Sequence, residues 1–531
     1  MDHTRIYLNG HILTVDKNDS LAEALVTQGK LIKYVGTRED AMKYSGGEAE
    51  IIDLKGRALA PGFIDSHIHL GQIGMGQVSA DCRRATCIAD VVELIRRQAK
   101  NTPKHEWVRG WGLNEMKLAE KRMPTCEELD QATTDHPVMI TRACYHVSVN
   151  NTMALRLGGI SDGTPSPEGG LIEKINGHIT GTLKEAAHNN LLKVAMPGED
   201  MLEDAMASAS DSLIRQGITS IHVAGCYGYP QMRAMRRGVQ SGRIKNRIYA
   251  VLFTFIDCEQ FIDDYIKCGI VTGFGDEHFR IGPVKLMIDG STSAPTAAMF
   301  EPYDSRPGDT GILCYTPEQV ERMMIKANRA GYQCTVHAVG DRAVEVMVTA
   351  IEKALEDTPR TDHRHRIEHC GFINENLVER IKKLGIVVVP QPAFFYEFGD
   401  GYVINYGKRI DSMFPCRTWF DNGVVAAGSS DCPVTSSDPL FGIFEAVNRV
   451  TGSGRKVSQC QRINIKEALR MHTYNGAYAS FEEQIKGSLE VGKLADMVVL
   501  SENLYEVSAE NIRNVRVERT IIDGEDVFIA E

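Results

Sequence analysis

The chain of 531 residues is longer than one ordinary hydrophobic core needs, which predicts a large barrel or several domains. Its 43% apolar and 24% charged residues are typical of a globular protein, and its net charge of −11 argues against broad affinity for nucleic acid or anionic membranes. The thirteen cysteines include no Cys-x-x-Cys pair, which fits a reducing compartment. We find no cationic segment followed by an apolar leader and no apolar run long enough to cross a bilayer, so we predict a cytoplasmic protein without membrane contact.

Short alternating segments at both ends of the chain predict a small β domain. Residues 1–60 contain strand-like stretches separated by turn signals such as Asn9-Gly10, and residues 485–531 repeat this pattern. Isolated short strands are only marginally stable, so we expect the two ends to pair into one composite β-sandwich domain. Residues 61–484 would then form the central domain.

Eight apolar segments in the central domain alternate with helical stretches, as buried parallel strands do. This pattern predicts the α/β class and a TIM-like (β/α)8 barrel, whose active site lies at the C-terminal ends of the strands. The alternative is an open doubly wound sheet, but the turn that begins at Gly74 lacks the third glycine of a phosphate-binding loop. The segments are residues 61–70, 218–224, 247–254, 280–289, 332–338, 365–369, 385–391 and 424–431.

The interval between the first and second predicted strands is too long for one loop and predicts an insertion over residues 71–200. It leaves the barrel at the end where the active site is expected, so it would cover that site as a substrate-selecting lid. A stabilising surface excursion with buried tryptophans is the alternative. An aromatic or bulky apolar group on the substrate is suggested by Trp107, Trp111 and Tyr145 in this insertion and by Phe394, Phe395 and Tyr396 after the seventh predicted strand.

The first predicted barrel strand ends in His67-Ile68-His69. Residues i and i+2 of a strand point to the same side, so both imidazoles would project from the strand end while Ile68 points away. Two converging imidazoles suit a metal ion. The alternative is that the two histidines are a chance pair or simply a polar strand end. The residues at the ends of the other predicted strands distinguish this alternative from a metal site.

Four later residues at predicted strand ends complete a pattern. Lys285 lies on the fourth strand, His337 on the fifth, His369 on the sixth and Asp431 on the eighth. Taken singly, each has an ordinary interpretation: core histidines, a helix cap and a buried ion-pair member. Three histidine-bearing strands and a strand-eight aspartate in this order together indicate a metal site.

These residues lie in motifs that resemble the amidohydrolase superfamily, and in particular its amidohydrolase 3 or YtcJ-like branch, which includes N-substituted formamide deformylases. The resemblance spans nearly the whole chain and implies both the barrel fold and the metal site. The motifs are PGFIDSHIH at 61–69, VKLMIDGS at 284–291, TAAMFEPY at 296–303, HAVGDRA at 337–343, RIEH at 366–369 and GSSDCPV at 428–434.

The resemblance implies two divalent cations, with zinc as the first candidate and manganese or iron as alternatives. Lys285 would bridge them after reaction with carbon dioxide to a carbamate. An unmodified Lys285 paired with a carboxylate such as Asp289, beside a single metal, is the alternative. The implied ligands are His67, His69 and Asp431 at the more buried ion, His337 and His369 at the second, and Lys285 between them.

Asp431 is the candidate general acid and base, since a positioned carboxylate can carry a proton from water to a leaving nitrogen. By resemblance His146 binds the substrate or the oxyanion from the insertion, and packing within the insertion is the alternative. Asp289, Asp341 and Gln391 are candidates for orienting the ligands from behind. Glu368 precedes His369 and is expected to face away from it in a structural role.

These features predict a metal-dependent hydrolase that cleaves a non-peptide C–N bond of a small amide, such as an N-substituted formamide. An isomerase or lyase with the same fold and metals is the first alternative, and a non-catalytic regulatory protein is the second. Loss of ligands would mark the regulatory protein, and all six ligand positions are filled here. Homodimers are common among soluble enzymes, and nothing in these residues specifies one.

Overall fold

The computed structural model describes residues 3–47, 49–143, 145, 147–254 and 257–531. Its centre is a curved parallel sheet of seven strands that neighbour each other in chain order. The strands are rich in Val and Ile and are buried on both faces, as expected for parallel strands covered by helices. The first to seventh barrel strands are Phe63–Ile68, Ile218–Ala224, Arg247–Leu252, Phe279–Met287, Cys334–Ala338, Arg366–His369 and Val387–Val389.

Residues 424–431 occupy the eighth place in the barrel. Val388 of the seventh strand forms a parallel bridge with Ala426, and the Ser66 N–H on the first strand donates to the Gly428 carbonyl at 3.1 Å. Hydrogen bonds on both sides of this segment close the sheet, although it forms one bridge instead of a regular strand. The predicted (β/α)8 barrel is thereby confirmed.

Helices follow the barrel strands and pack their apolar faces onto the sheet. Sequence signals set their ends: Thr316 and Gln319 form a capping box at the start of helix Pro317–Arg329, which has proline in its first turn. The barrel helices are Leu70–Gln77, Glu199–Ile214, Gly228–Gln240, Cys258–Lys267, Pro317–Arg329, Asp341–Asp357, Glu375–Leu384, Phe394–Tyr406, Cys416–Asp421, Pro439–Asn448, Ile465–Met471 and Tyr474–Ala479, with 3-10 turns at Gly407–Ser412 and Gln459–Gln461.

The insertion after the first strand has a mixed six-stranded sheet and its own apolar core around Val91, Ile95 and Ile140. Its helices are Ile88–Lys100, Cys126–Asp130, Thr152–Leu157 and Ala186–Val194, with a 3-10 turn at Glu115–Lys117. In spatial order its strands are Gly170–Ile175, His178–Glu185, Val147–Asn150, Val138–Arg142, Val108–Leu113 and Ala80–Asp81.

The chain ends form two further sheets: the N-terminal segment alone builds one, and strands from both ends pair in the other, as predicted. Strand Ala58–Pro61 pairs antiparallel with Met497–Leu500, and Tyr7, Leu59 and Ile521 share one apolar cluster between the sheets. One sheet contains Leu31–Gly36, Ala24–Gln28, Thr4–Leu8 and Glu50–Asp53; the other contains Glu525–Ile529, Val517–Ile522, Met497–Leu500, Ala58–Pro61, His11–Leu13 and Leu21–Ala22. Helix Arg38–Met42 and the 3-10 turn Ala509–Asn514 complete this region. The domain boundaries proposed from the sequence stay predictions.

Within the described parts of the chain, no helix combines the length and the apolar character that a membrane span requires.

A buried arginine joins the barrel to the C-terminal strands. Arg247, at the start of the third barrel strand, donates to both carboxylate oxygens of Asp496 at 2.6 and 2.9 Å and to Asp523 at 2.6 Å. We expect Arg247→Met to lower the free energy of unfolding by about 3–5 kcal/mol, because Asp496 is left buried without its countercharge. Urea unfolding at equilibrium measures this change.

Arg243→Met is the matched control, since its ion pairs with Glu203 and Asp204 are partly or largely exposed and should be worth no more than about 1 kcal/mol. Equal losses of stability in the two variants would contradict a special role for the buried cluster.

Candidate metal centre

The six side chains proposed as ligands converge on one cavity at the C-terminal ends of the barrel strands. All six line this cavity, whose volume is about 430 Å³. The barrel thus brings together residues that are more than 360 positions apart in the chain, from His67 to Asp431. The insertion of residues 71–200 borders the same cavity, as described below.

The distances between these side chains are short. His69 Nε2 lies 3.1 Å and His67 Nε2 lies 3.4 Å from the same oxygen of Asp431, and donor atoms of these three residues fall within 4.8 Å of one another. Lys285 Nζ is 3.1 Å from His67 Nε2. The rings of His337 and His369 have centroids 4.3 Å apart, and the ring of His369 is 5.2 Å from that of His67.

Each of the four histidines has one ring nitrogen held by an acceptor behind it. This arrangement fixes the ring and reserves the other nitrogen for a cation, as is usual for metal-binding histidines. The contacts are His67 Nδ1 to Glu368 Oε2 at 2.5 Å, His69 Nδ1 to the Ala224 carbonyl at 2.8 Å, His337 Nε2 to the Gly290 carbonyl at 3.0 Å and His369 Nδ1 to Gln391 Oε1 at 2.7 Å. A donor set of four oriented imidazoles, a carboxylate and a buried lysine fits divalent cations.

Glu368 corrects one expectation from the sequence. It does not stand apart from the site: it is 1% exposed and accepts a hydrogen bond from His67. The expectation assumed that side chains alternate between the two faces along the whole sixth strand. This assumption is wrong at His369, the last residue of that strand, because its φ of 73° lies outside the regular strand conformation. A glutamate within a predicted buried strand, directly before a candidate ligand, was the signal available in the sequence.

Of the three residues that the sequence suggested as orienting the ligands, two lie next to candidate ligands and one does not. Gln391 contacts His369, and Asp289 lies 3.7 Å from His337 Nε2 while it accepts backbone N–H groups of the loops around it. Asp341 instead accepts the Phe300 N–H at the start of its helix, outside the cavity. The thiol of Cys226, which the sequence did not single out, lies 3.1 Å from His69 Nδ1.

Burial and neighbouring charges set the protonation of the site. Burial lowers the pKa of Lys285, which favours the neutral amine, and burial together with Lys285 lowers the pKa of His67 to about 3. Burial alone would raise the pKa of Asp431, yet the hydrogen bond from His69 and the adjacent imidazoles hold it below its usual range. A neutral lysine, a neutral His67 and an ionised Asp431 are the forms that a cation requires. Burial would lower the pKa of His69, yet Cys226 and Asp431 raise this pKa to about 10, so His69 has to release a proton when a cation binds.

The backbone is strained at two of the candidate ligands. His369 and Asp431 have φ values of 73° and 55°, in the left-handed region that non-glycine residues rarely adopt. Such strain costs roughly 1–3 kcal/mol per residue and is concentrated at functional sites. The Asp431 N–H donates to the His67 carbonyl at 2.8 Å, so this conformation is tied directly to the first barrel strand.

The cavity wall combines apolar and charged side chains. The barrel supplies Phe253 and Met287 at strand ends and Phe394 and Phe398 from helix Phe394–Tyr406. The insertion supplies Arg83, Trp111, Asn114, Lys117, Arg142 and Tyr145. Gly112 makes room for this wall, because a Cβ on it would lie 2.4 Å from Cγ of Arg83. His146, the second candidate catalytic residue, lies outside the described residues.

Known proteins resemble this chain over most of its length. The chain is 29% identical to the N-substituted formamide deformylase of Arthrobacter pascens, covering 97% of both, and 28% identical to the Bacillus subtilis protein YtcJ, covering 98% and 99%. The crystal structure of an uncharacterized metal-dependent hydrolase from Pyrococcus horikoshii superposes with a TM-score of 0.80 at 28% identity, covering 96% of this chain and 99% of that one. The profile of the amidohydrolase family matches residues 50–528. The motifs, the barrel and this match agree, and the chain belongs to the amidohydrolase family.

Proposed function

We propose that this protein hydrolyses a non-peptide C–N bond in a small amide, such as an N-substituted formamide, with two divalent cations. The observation that carries the proposal is the set of four histidines whose rings are fixed from behind and which meet Asp431 and Lys285 in one cavity. The N-substituted formamide deformylase from Arthrobacter pascens, 29% identical over 97% of this chain, supports the choice of reaction and substrate.

In this proposal the cations are divided between two positions. His67, His69 and Asp431 hold the first, called here the inner position, and His337 and His369 hold the second, called the outer position. When bound, two cations polarise a carbonyl and lower the pKa of water towards neutrality. Zinc is the first candidate because imidazole and oxygen donors suit it.

Lys285 joins the two positions as a carbamate. Its neutral Nζ adds to the carbon of carbon dioxide, so that one N–C bond forms, one C–O π bond breaks and an N–H proton leaves to solvent. The resulting group would offer one oxygen to each position. The burial that lowers the pKa of Lys285 supports this step, because only the unprotonated amine can react.

Asp431 carries the proton that the hydrolysis requires. The carboxylate accepts a proton from the water that adds to the substrate carbonyl, and it delivers that proton to the nitrogen as the C–N bond breaks. A formamide and water are thereby converted to formic acid, which releases its proton to give formate, and an amine, and Asp431 returns to its ionised form. Its position 3.1 Å from His69 Nε2 and 3.4 Å from His67 Nε2 puts it beside both inner-position histidines.

The size and lining of the cavity indicate which substituent the substrate carries. Its volume of about 430 Å³ lies in the range of small-molecule sites, and Trp111, Tyr145, Phe394 and Phe398 make part of its wall apolar. We propose that these residues contact an aryl or bulky alkyl group on the amide nitrogen.

Release of formate and free amine tests the proposed function. Zinc-loaded protein is mixed with N-formyl, N-acetyl and cyclic amides that carry aryl or alkyl substituents, with metal-free protein as the control. We expect formate from N-formyl amides with bulky substituents, because these match the apolar wall. If no amide of the panel releases product while both cations are bound, an isomerase or lyase with the same metal centre would be favoured.

A further inference from the structure

We infer that Glu368 makes the two metal positions unequal, so that the inner position binds its cation more tightly and fills first. This inference rests on the proposed two-metal site and adds a positioning residue to it. Glu368 touches neither substrate nor cation in this scheme and acts through the ring of His67.

The contacts of Glu368 define it as an ionised carboxylate. Its Oε1 accepts hydrogen bonds from Arg366 Nε at 2.9 Å and Thr335 Oγ1 at 2.6 Å, and its Oε2 accepts from Arg366 at 3.0 Å and from His67 Nδ1 at 2.5 Å. Four donors around two oxygens leave no place for a proton on the carboxylate. Glu368 and Arg366 are 1% and 0% exposed, so this arrangement is shielded from solvent.

Arg366 is itself held in place, which keeps Glu368 from turning. One of its terminal nitrogens donates to the Ser66 carbonyl at 2.6 Å, immediately before His67 in the chain, and the other donates to His222 Nδ1 at 2.9 Å. The guanidinium therefore ties the sixth barrel strand to the first at the level of the ligand. The ring of His67 is fixed with Nδ1–H towards Glu368 and Nε2 towards the cavity.

The other three histidines have backbone carbonyls, a side-chain amide or a cysteine within hydrogen-bond distance instead of a carboxylate. His69 faces the Ala224 carbonyl and the thiol of Cys226, His337 faces the Gly290 carbonyl, and His369 faces the amide oxygen of Gln391. Asp289 is 3.7 Å from His337, beyond hydrogen-bond length, and its oxygens accept backbone N–H groups of residues 298, 339 and 340.

A carboxylate behind an imidazole makes that imidazole a stronger donor to a cation. The inner position therefore has the negative charge of Asp431 in direct contact, and it has His67 as a stronger imidazole donor, because the carboxylate of Glu368 accepts the His67 Nδ1–H even though Arg366 offsets its charge. The outer position has two imidazoles backed by neutral groups and shares only the carbamate of Lys285. Because more ligand charge gives tighter cation binding, the inner position should fill before the outer one.

Zinc titration against a competing chelator, in buffer containing bicarbonate, measures both affinities without reference to activity. Wild-type protein should show a tight and a weak site. We expect Glu368→Gln to weaken the tight site about 10–100-fold and to leave the weak site unchanged. Thr335→Val is the matched control: it removes one hydrogen bond to Glu368 but keeps the charge and the Arg366 contacts, so it should preserve the tight site.

A second pair of variants tests the order of filling even where Glu368→Gln does not fold. His69→Ala should abolish the tight site and His337→Ala the weak one, with the unfolding temperature of each metal-free variant as a check on folding. The inference is overturned by two equal sites in the wild type, by an equal loss at both sites in Glu368→Gln, or by loss of the tight site in His337→Ala. Wild-type protein that binds no zinc would instead overturn the proposed function.

Discussion

Replacing Asp431 by asparagine should reduce turnover by about 10²–10⁴-fold while the barrel remains folded. The asparagine side chain keeps the size of Asp431 and one oxygen, but it cannot accept a proton from water and return it to the leaving nitrogen. The rate of formate release at saturating substrate measures the loss. Zinc content is measured in the same samples, so that turnover is expressed per loaded site.

Asp341→Asn is the matched control for this variant. Asp341 also follows a barrel strand, but the structure places it outside the cavity, where it accepts the Phe300 N–H. We expect turnover near the wild-type rate in Asp341→Asn. Near-normal turnover in zinc-loaded Asp431→Asn would exclude the general acid and base role.

Lys285→Ala should lower the zinc content from two ions per chain to one or none, because the carbamate is the only group proposed to contact both positions. Turnover should fall at least about a hundredfold, since losing a cation removes several kcal/mol of charge stabilisation. Metal analysis after zinc loading in bicarbonate buffer measures the first effect, and formate release measures the second.

Lys117→Ala provides the comparison, since Lys117 also lines the cavity but lies on the exposed side of the insertion. It should keep both zinc ions. The single-metal alternative, in which Lys285 stays unmodified, predicts one zinc per chain in the wild type and in both lysine variants.

The barrel could be predicted from the sequence because each strand is a local signal. Apolar segments near 218–224 and 247–254 became the second and third strands, and the polar residues that end the strands marked the site. Parallel strands align their C-terminal ends, so His67, Lys285 and His337 could be placed together without knowledge of the intervening chain.

The insertion shows where such reasoning fails. Its sheet pairs Val147–Asn150 with His178–Glu185 and Val108–Leu113 with Val138–Arg142, and these partners are set by packing and not by any local pattern. The contact between His67 and Glu368 is also non-local, since 301 positions separate the two residues. The side-chain direction predicted for Glu368 was wrong because the alternation rule assumes a regular strand, and His369 has a left-handed backbone conformation.

Metal analysis of the wild-type protein tests the central claim most directly. The protein is stripped with a chelator, loaded with zinc in the presence of bicarbonate, freed of unbound ions and analysed for metal per chain. The proposed centre predicts two zinc ions per chain. Protein that remains metal-free after loading would contradict the metal centre and the hydrolysis that depends on it.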